Sequence, residues 1–424
     1  MCYLRYSAAK EAKGAWTLTQ TVIIGGGPAG MAAAIAAARR GEDTLLVERL
    51  DRVGKKLLAT GNGRCNLMNR SAPAYPGGET FARQVLARCG EKELESFFRS
   101  LGLRLRTEDM GRVYPASGQA ASVLDALRMA LTREGVALRT LSPVQRLEKR
   151  GERFTLSLPD DVLRATRVIV AGGGKAQPKL GSDGSCYALL AGLGHTLRRP
   201  FPALTQIETE TAPLRGLSGI RVKVEAWITQ NGRELHRTQG EGLFADYGLS
   251  GVCMMQLARY AQGRNACLHL NLLPALGLDT AGDWAAELSR RRACWGDAPL
   301  EQLFTGLCVT RLGAALLRNA GIGPLSRPIE SLKEGEIQAL TALVADFALP
   351  VRGVKGFDSA QVTAGGVAWE EFTPESLASC LVPGLYAAGE VLDVDGDCGG
   401  FNLMFAFASG ILAGSEGHLE EVLS

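Results

Sequence analysis

The sequence predicts an α/β fold, a parallel sheet layered with helices and interrupted by an inserted domain. Three observations predict it. A strand-like run, Val22-Ile23-Ile24, enters Gly25-Gly26-Gly27-Pro28-Ala29-Gly30 and then an alanine-rich helix. Near the end, Gly384-Leu385-Tyr386-Ala387-Ala388-Gly389-Glu390 is followed by Asp397-Cys398-Gly399-Gly400-Phe401-Asn402. Between them, from about residue 200, the pattern changes to strands and then to helices, and the glycine-rich texture returns at Gln361.

The first glycine run has G-x-G-x-x-G spacing. Gly25 permits a tight turn off the strand, Gly27 lets backbone approach a pyrophosphate, and Gly30 lets helix and sheet lie close. Pro28 suits a first helical turn because its missing N–H is one the helix leaves unpaired. The remaining N–H groups and the positive end of the helix dipole attract phosphate. Glu48 ends the second strand, Thr44-Leu45-Leu46-Val47, where a carboxylate accepts hydrogen bonds from ribose hydroxyls and repels a 2′-phosphate. The two glycine motifs, in this order and this far apart, point to FAD.

Residues 22–38 are apolar enough to suggest a membrane span. A span needs about 20 apolar residues and has no use for three successive glycines at its mouth, so the strand–turn–helix reading has the better physical account. The 424 residues suffice for two or three structural units. With 47 basic and 44 acidic residues the net charge of +3 points to neither a nucleic-acid nor a membrane partner. Ten cysteines without a C-x-x-C pair fit a reduced, cytoplasmic protein. The histidines, at 195, 236, 269 and 418, have no ligand spacing, so no metal is expected.

Along the chain, residues 1–20 are polar and patternless and read as an N-terminal extension. Residues 21–50 read as β-α-β, and 79–101 and 119–135 as helices, the second burying Val123, Leu124, Leu127, Met129 and Leu131. Segments 136–147 and 153–158 alternate like strands. Arg167-Val168-Ile169-Val170 then runs into Ala171-Gly172-Gly173-Gly174. No acid-bearing second strand follows this turn, so it reads as the sheet returning to touch the nucleotide rather than as a separate NAD site. The fold therefore reads as a discontinuous nucleotide-binding domain, 21–199 and 355–424, with an inserted cap at 200–354. The insert divides into a β unit (200–278), whose Asn231-Gly232 is a hairpin signal, and a helical part (279–354). An inserted cap is a common place to build substrate selectivity.

Several blocks carry a resemblance to a known family. They are Gly54 through Asn66, Gly181-Ser182-Asp183-Gly184, Phe244 through Gly251, Ala360 through Val367, and the run from Gly389 to Gly410. With them the chain resembles the BaiN-like or YhiN-like (aminoacetone-oxidase-like) bacterial NAD(P)/FAD-dependent oxidoreductases over nearly its whole length from residue 21. The resemblance implies a Rossmann-like, two-dinucleotide-binding-domain flavoprotein with non-covalent FAD, the insert being β-barrel-like plus helical. It implies that Gly25, Gly27, Pro28, Ala29 and Gly30 hold the pyrophosphate and Glu48 the adenosine ribose, with Arg49 adjacent. Lys55, Lys56, Asn62, Gly63, Arg64, Cys65 and Asn66 would lie along the diphosphate and flavin. Val144 would face the adenine through its backbone, with Ala171 and Gly172 nearby. Gly389, Glu390, Gly400, Phe401 and Asn402 would contact the ribityl chain and isoalloxazine. Met404 stands where the family often carries a polar residue.

Three absences narrow the chemistry. Cys65 is followed only by Cys89, without the close cysteine pair of flavin disulfide reductases. The first histidine is His195, which excludes covalent flavin attachment to a histidine in the N-terminal third. No G-x-S-x-G elbow is present for hydrolysis. A flavin oxidoreductase acting on a small or sterol-like substrate is the leading expectation, with NAD(P)H as a transient co-substrate. The family also contains conjugated C=C reductases of bile-acid intermediates and amine oxidases of the aminoacetone type. An RNA-modifying flavoprotein and a flavin-bound sensor are the other readings; Arg290-Arg291-Arg292, the only basic triplet, reads as a solvated helix face. Asp246 and Tyr247 are the candidate proton donors, each equally readable as part of a self-bonded loop. The oligomeric state is left open.

Overall fold

The computed structural model describes residues 18–423. Most of the expected N-terminal extension lies outside the described residues, and its last members belong to the first strand. The described chain divides into two compact units, one running to Phe201 and resuming at Val362, the other Pro202–Gln361.

The first unit opens with β1 (Leu18–Ile24), α1 (Pro28–Arg39) and β2 (Thr44–Val47), then a short α2 (Lys55–Ala59). A small antiparallel sheet follows from β3 (Met68–Asn69), β4 (Leu105–Thr107) and β5 (Arg112–Pro115), flanked by α3 (Glu79–Arg88) and α4 (Glu91–Ser100). The single helix expected over 79–101 is thus two, broken at Cys89-Gly90, where a Cβ on Gly90 would stand 2.7 Å from the Leu86 carbonyl oxygen. α5 (Ala120–Arg133) buries Val123, Leu124, Leu127 and Leu131. Met129 is instead 72% exposed, because two residues from 127 and from 131 lies off the inner stripe of a helix with 3.6 residues per turn.

β6 (Ala137–Arg139), β7 (Arg146–Arg150), β8 (Arg153–Ser157) and β9 (Val162–Val170) complete the main sheet, in the order β6-β2-β1-β9-β8-β7. β6, β2, β1 and β9 are parallel, with Val22 opposite both Leu45 and Val168. Buried at their carboxyl ends, β1, β2 and β9 carry apolar runs there, Val22-Ile23-Ile24, Leu45-Leu46-Val47 and Val168-Ile169-Val170. α6 (Ser185–Ala191) and β10 (Leu197–Ala203) follow.

In the second unit β11 (Ile207–Thr209), β12 (Arg221–Gln230), β13 (Arg233–Ala245) and β14 (Gly248–Ser250) precede α7 (Val252–Leu257) and β15 (Ala266–Asn271). Asn231 and Gly232 both have positive φ, as a type I′ turn requires, and join β12 to β13. α8 (Ala281–Cys294), α9 (Thr310–Asn319) and α10 (Glu334–Ala345) form the helical part, with Trp284 stacked on Phe304 in its core. The helical assignment through 354 is corrected by β16 (Phe347–Val354), which pairs with β15 and β11 and closes a six-stranded barrel. Its first three residues, Phe347, Ala348 and Leu349, alternate buried and exposed, a signal too short to outweigh the helical spacing before it. The insert keeps the chain as far as Gln361, whose N–H bonds the Leu204 carbonyl. Arg291 is a second correction: it is buried and donates to the carbonyls of Leu303 (2.7 Å) and Thr305 (2.8 Å) rather than facing solvent.

Returning to the first unit, β17 (Val362–Val367) pairs with β10, and β18 (Leu385–Ala387) lies parallel to the last residues of β9, with Tyr386 opposite Ile169. α11 (Phe401–Ser415) is almost wholly buried and packs on α1. Small residues make that packing possible. A Cβ on Gly410 would lie 2.3 Å from the Ala29 carbonyl oxygen, and one on Gly414 2.3 Å from that of Ala33. At the far end of α11, buried Arg167 donates to the Gly414 carbonyl and pairs with Glu42 at 2.7 Å, placing a cation at the negative pole of the helix. Among the described residues no helix is long and apolar enough to cross a membrane.

The obstacle at Gly410 is backbone, which cannot rotate away. We expect Gly410→Ala to destabilise the protein by about 1–3 kcal/mol, read from urea unfolding followed by circular dichroism.

Candidate functional site

The carboxyl ends of β1, β9 and β18 converge on glycines. Gly25 has φ 107°, and a Cβ there would sit 2.6 Å from the Ala171 carbonyl oxygen. A Cβ on Gly30 would strike the Gly25 carbonyl oxygen at 1.9 Å, and one on Gly389 would meet the Ala29 Cβ at 2.9 Å. Gly27 differs: a Cβ there meets nothing within 4 Å. It is the N-cap of α1, with no side-chain cap, no acidic residue in the first turn and Pro28 inside it. Gly25, Gly30 and Gly389 therefore close the protein's own packing, and Gly27 leaves open space before a helix N-terminus.

Glu48 is buried beside this turn. Its Oε2 accepts from the Gly26 N–H at 2.7 Å and its Oε1 from the Leu50 N–H at 2.8 Å. A carboxylate has about four lone-pair sites, so acceptor capacity for hydroxyls remains on each oxygen. Gly26 is a site residue the spacing argument passes over, although the unbroken triplet of glycines was visible. A Cβ there would fall 2.5 Å from Val53 Cγ1 and 3.1 Å from Glu48 Oε2. Beside Glu48, the Arg49 guanidinium lies 3.3 Å from Asp183 and donates to the Gly181 carbonyl. Val144 is half-buried in the loop between β6 and β7, and the same loop bonds Glu48 through the Ser142 N–H. Ala171 continues the β1 ladder by donating to the Ile24 carbonyl, and Gly172 gives way to Cys186, whose Sγ would lie 2.1 Å from an added Cβ.

The segment after β2 meets the C-terminal motif. Lys55 pairs with Asp51 (2.5 Å), whereas Lys56 reaches Glu390 Oε2 at 2.7 Å. Glu390 Oε1 accepts from the Thr363 N–H, and Thr363 Oγ1 in turn accepts from the N–H groups of Lys175 and Ala176. Thr363 lies inside one of the family blocks but has no role assigned by the sequence, and Lys175 and Ala176 lie just past the glycines of the loop after β9; only the packing of three chain segments brings them together. Asn62 and Gly63 form an exposed turn with positive φ at both residues. Arg64 stacks over Tyr114 (4.1 Å) and pairs with Glu108. Cys65 is buried, and burial pushes its thiol up to about 12. The buried Asn66 Oδ1 has no hydrogen-bond partner. It faces Gly400 (φ 111°), where a Cβ would stand 2.7 Å away, at the N-cap of α11. Phe401 is buried, and its carbonyl accepts from Tyr75. Asn402 spends its amide on the loop, accepting from the Gly396 N–H and donating to the Gly396 carbonyl.

Asp246 and Tyr247 belong to the inserted unit. Asp246 is exposed. The Tyr247 ring lies over Lys355 Nζ at 4.5 Å, and that ammonium pairs with Glu208 at 2.7 Å.

Two helix N-termini, a ribose-competent carboxylate and an uncapped glycine turn at the strand ends fit a dinucleotide whose phosphates lie at α1. In the first unit the fold and this site define a dinucleotide-binding protein of the Rossmann type. The chain belongs to the HI0933-like protein Rossmann domain family, which it matches over residues 19–416. It is 38% identical over 409 residues to a 3-dehydro-bile acid delta(4,6)-reductase of Clostridium scindens, covering 92% of this chain and 97% of that one. A ribosomal RNA dihydrouridine synthase of Escherichia coli is 28% identical over 394 residues, 92% and 95% of the two chains. Among solved structures, a flavocytochrome c3 fumarate reductase aligns at 17% identity and a TM-score of 0.49, covering 97% of this chain and 80% of that one.

The buried thiols give a measurable consequence. Cys65 and Cys186 are both pushed up to about 12 by burial, while an unfolded thiol ionises near 8.5. The folded form therefore holds these protons longer, so their contribution to stability is full below about pH 8.5 and declines as pH rises towards 12. Iodoacetamide at pH 8 should label exposed Cys294 and Cys380 and spare Cys65 and Cys186, as read by peptide mass spectrometry.

Proposed function

We propose that this chain is an FAD-dependent oxidoreductase that reduces a carbon–carbon double bond conjugated to a carbonyl in a small or sterol-like substrate, with NAD(P)H as transient donor. The observation that carries this reading is the 38% identity to a reductase of that kind along 92% of the chain. FAD, when bound non-covalently, supplies hydride transfer at N5. The protein's share is binding and electrostatics. The free N–H groups of α1 attract the pyrophosphate, and Glu48 receives the ribose hydroxyls. The N-terminus of α11, opened by Gly400, presents N–H donors and a positive dipole to negative charge developing on a reduced ring. Lys56 and Glu390, locked to Thr363, hold the two ends of that cradle together.

A second reading is reduction of the uracil ring in RNA, which is also a double bond conjugated to a carbonyl. The ribosomal RNA dihydrouridine synthases among the relatives favour it, at lower identity. The burial of Arg291 removes one member of the only basic triplet from any RNA-facing surface.

An anaerobic titration of the purified protein with NADH and then NADPH tests the proposal. The expected result is a yellow protein bleached by one nicotinamide and reoxidised by a 3-oxo-4-ene steroid. Reoxidation by unmodified ribosomal RNA and by no enone would favour the second reading. A colourless protein whose denatured supernatant lacks FAD would sink both.

A further inference from the structure

α11 begins without a cap. Its N-cap is Gly400 (φ 111°), with no side-chain cap and no acidic residue in the first turn. The first bond of the helix runs from the Met404 N–H to the Gly400 carbonyl. The N–H groups of Phe401, Asn402 and Leu403 meet no acceptor among the described residues. Open first-turn donors are ordinary where water reaches them, but Phe401 is only 6% exposed. Other helices of the chain are finished differently. In α8, Thr280 and Asp283 form a capping box, and in α4 Glu93 turns back to the Gly90 N–H. At α11 a second group is left over: Asn66 is 8% exposed, and its Oδ1, facing Gly400, has no partner. Donors and an acceptor left together in a buried place suit the carbonyl and N–H of an imide, which the isoalloxazine ring carries.

Tyr75 holds the same turn. It lies in the loop between β3 and α3 and is buried. Its hydroxyl donates to the Phe401 carbonyl at 2.8 Å. Its ring meets those of Phe401 (5.9 Å, 73°) and Phe405 (6.2 Å, 62°) edge-on, and a Cβ on Gly396 would stand 3.0 Å from it. A phenylalanine would pack as well; the hydroxyl serves another end. A first-turn carbonyl is one that the helix itself satisfies, so the tyrosine is a second donor to an oxygen that needs only one.

That bond acts through the peptide it touches. The Phe401 carbonyl and the Asn402 N–H belong to one peptide group, and the Asn402 N–H is among the three left open. Drawing electron density towards the carbonyl oxygen makes the N–H across the group a stronger donor. Hydrogen bonds in such a chain strengthen one another by roughly 10–30% each. Burial pushes the Tyr75 hydroxyl well above its ordinary range, so it remains a donor at any working pH.

We propose that Tyr75 is a positioning residue for the redox reaction, on the FAD reading given above. By holding and polarising the Phe401–Asn402 peptide, it strengthens the donors at the N-terminus of α11 and favours the reduced, more negative form of the flavin. It acts through the helix rather than on the reacting atoms.

The test is Tyr75→Phe, with the midpoint potential of the bound flavin read against a reference dye under anaerobic reduction. The FAD content of the parent protein is measured first. Loss of the hydroxyl should weaken binding of reduced FAD about threefold more than that of oxidised FAD. For a two-electron couple that lowers the potential by about 14 mV. Affinity for oxidised FAD, titrated by fluorescence into deflavinated protein, should stay close to the parent's. Fluorotyrosine in place of Tyr75, with the fluorine ortho to the hydroxyl, makes a stronger donor and should move the potential upwards. Unchanged potentials in both variants would overturn the proposal, even with a lower melting temperature, since lost packing weakens the fold without favouring one redox state. Shifts of the same sign in both would overturn it too. A parent without FAD would overturn the flavin reading and this proposal with it, whereas a flavin-loaded parent with unshifted variants would overturn the proposal alone.

Discussion

The first unit depends on one constraint: backbone must touch backbone where α1 leaves the sheet. Gly25 lies against Ala171, Gly30 against the Gly25 carbonyl, and Gly410 and Gly414 of α11 against the carbonyls of Ala29 and Ala33. None of these approaches tolerates a Cβ. Their effect is to bring the N-terminus of α1 to the carboxyl ends of β1, β9 and β18 and to bury α11 beside it. Two helix dipoles then end on the same side of one sheet, which is where an anionic, redox-active dinucleotide is best stabilised.

Electrostatics complete what close packing begins. Glu48 is fixed by two backbone N–H groups, so its charge is positioned before any ligand arrives. Lys56, Glu390 and Thr363 come from three distant stretches and form one chain of bonds that ends on the backbone of the loop after β9. Arg167 and Glu42 do the equivalent work at the opposite pole of α11. Such fixed charges need no reorganisation when charge moves on a ligand, which is the condition under which a protein dipole assists a reaction.

The glycine turn at α1 and the position of Glu48 beside it were legible because their signals are local. A G-x-G-x-x-G turn between a strand and a helix, followed by an acid at the end of the next strand, needs only adjacent residues to be recognised. Gly26 was hidden within the same signal, its role set by Val53 and Glu48 rather than by spacing. Thr363 and the pairing of Lys56 with Glu390 were not legible, since Thr363 bonds a loop 188 positions away and the ion pair spans 334. Met129 and Arg291 were misread for one reason: composition gives a residue's character, whereas burial follows from the helical phase and from which neighbour covers it.

By itself the sequence determined the class of fold, the inserted unit, the glycine turns and the acid that ends β2, because these follow from backbone sterics and short-range periodicity. Only the tertiary structure decided where the insert ends and that β16 closes a barrel. It also decided which charged groups pair. Those outcomes are set by long-range packing, which a linear pattern encodes only jointly, through residues that become neighbours when the chain folds.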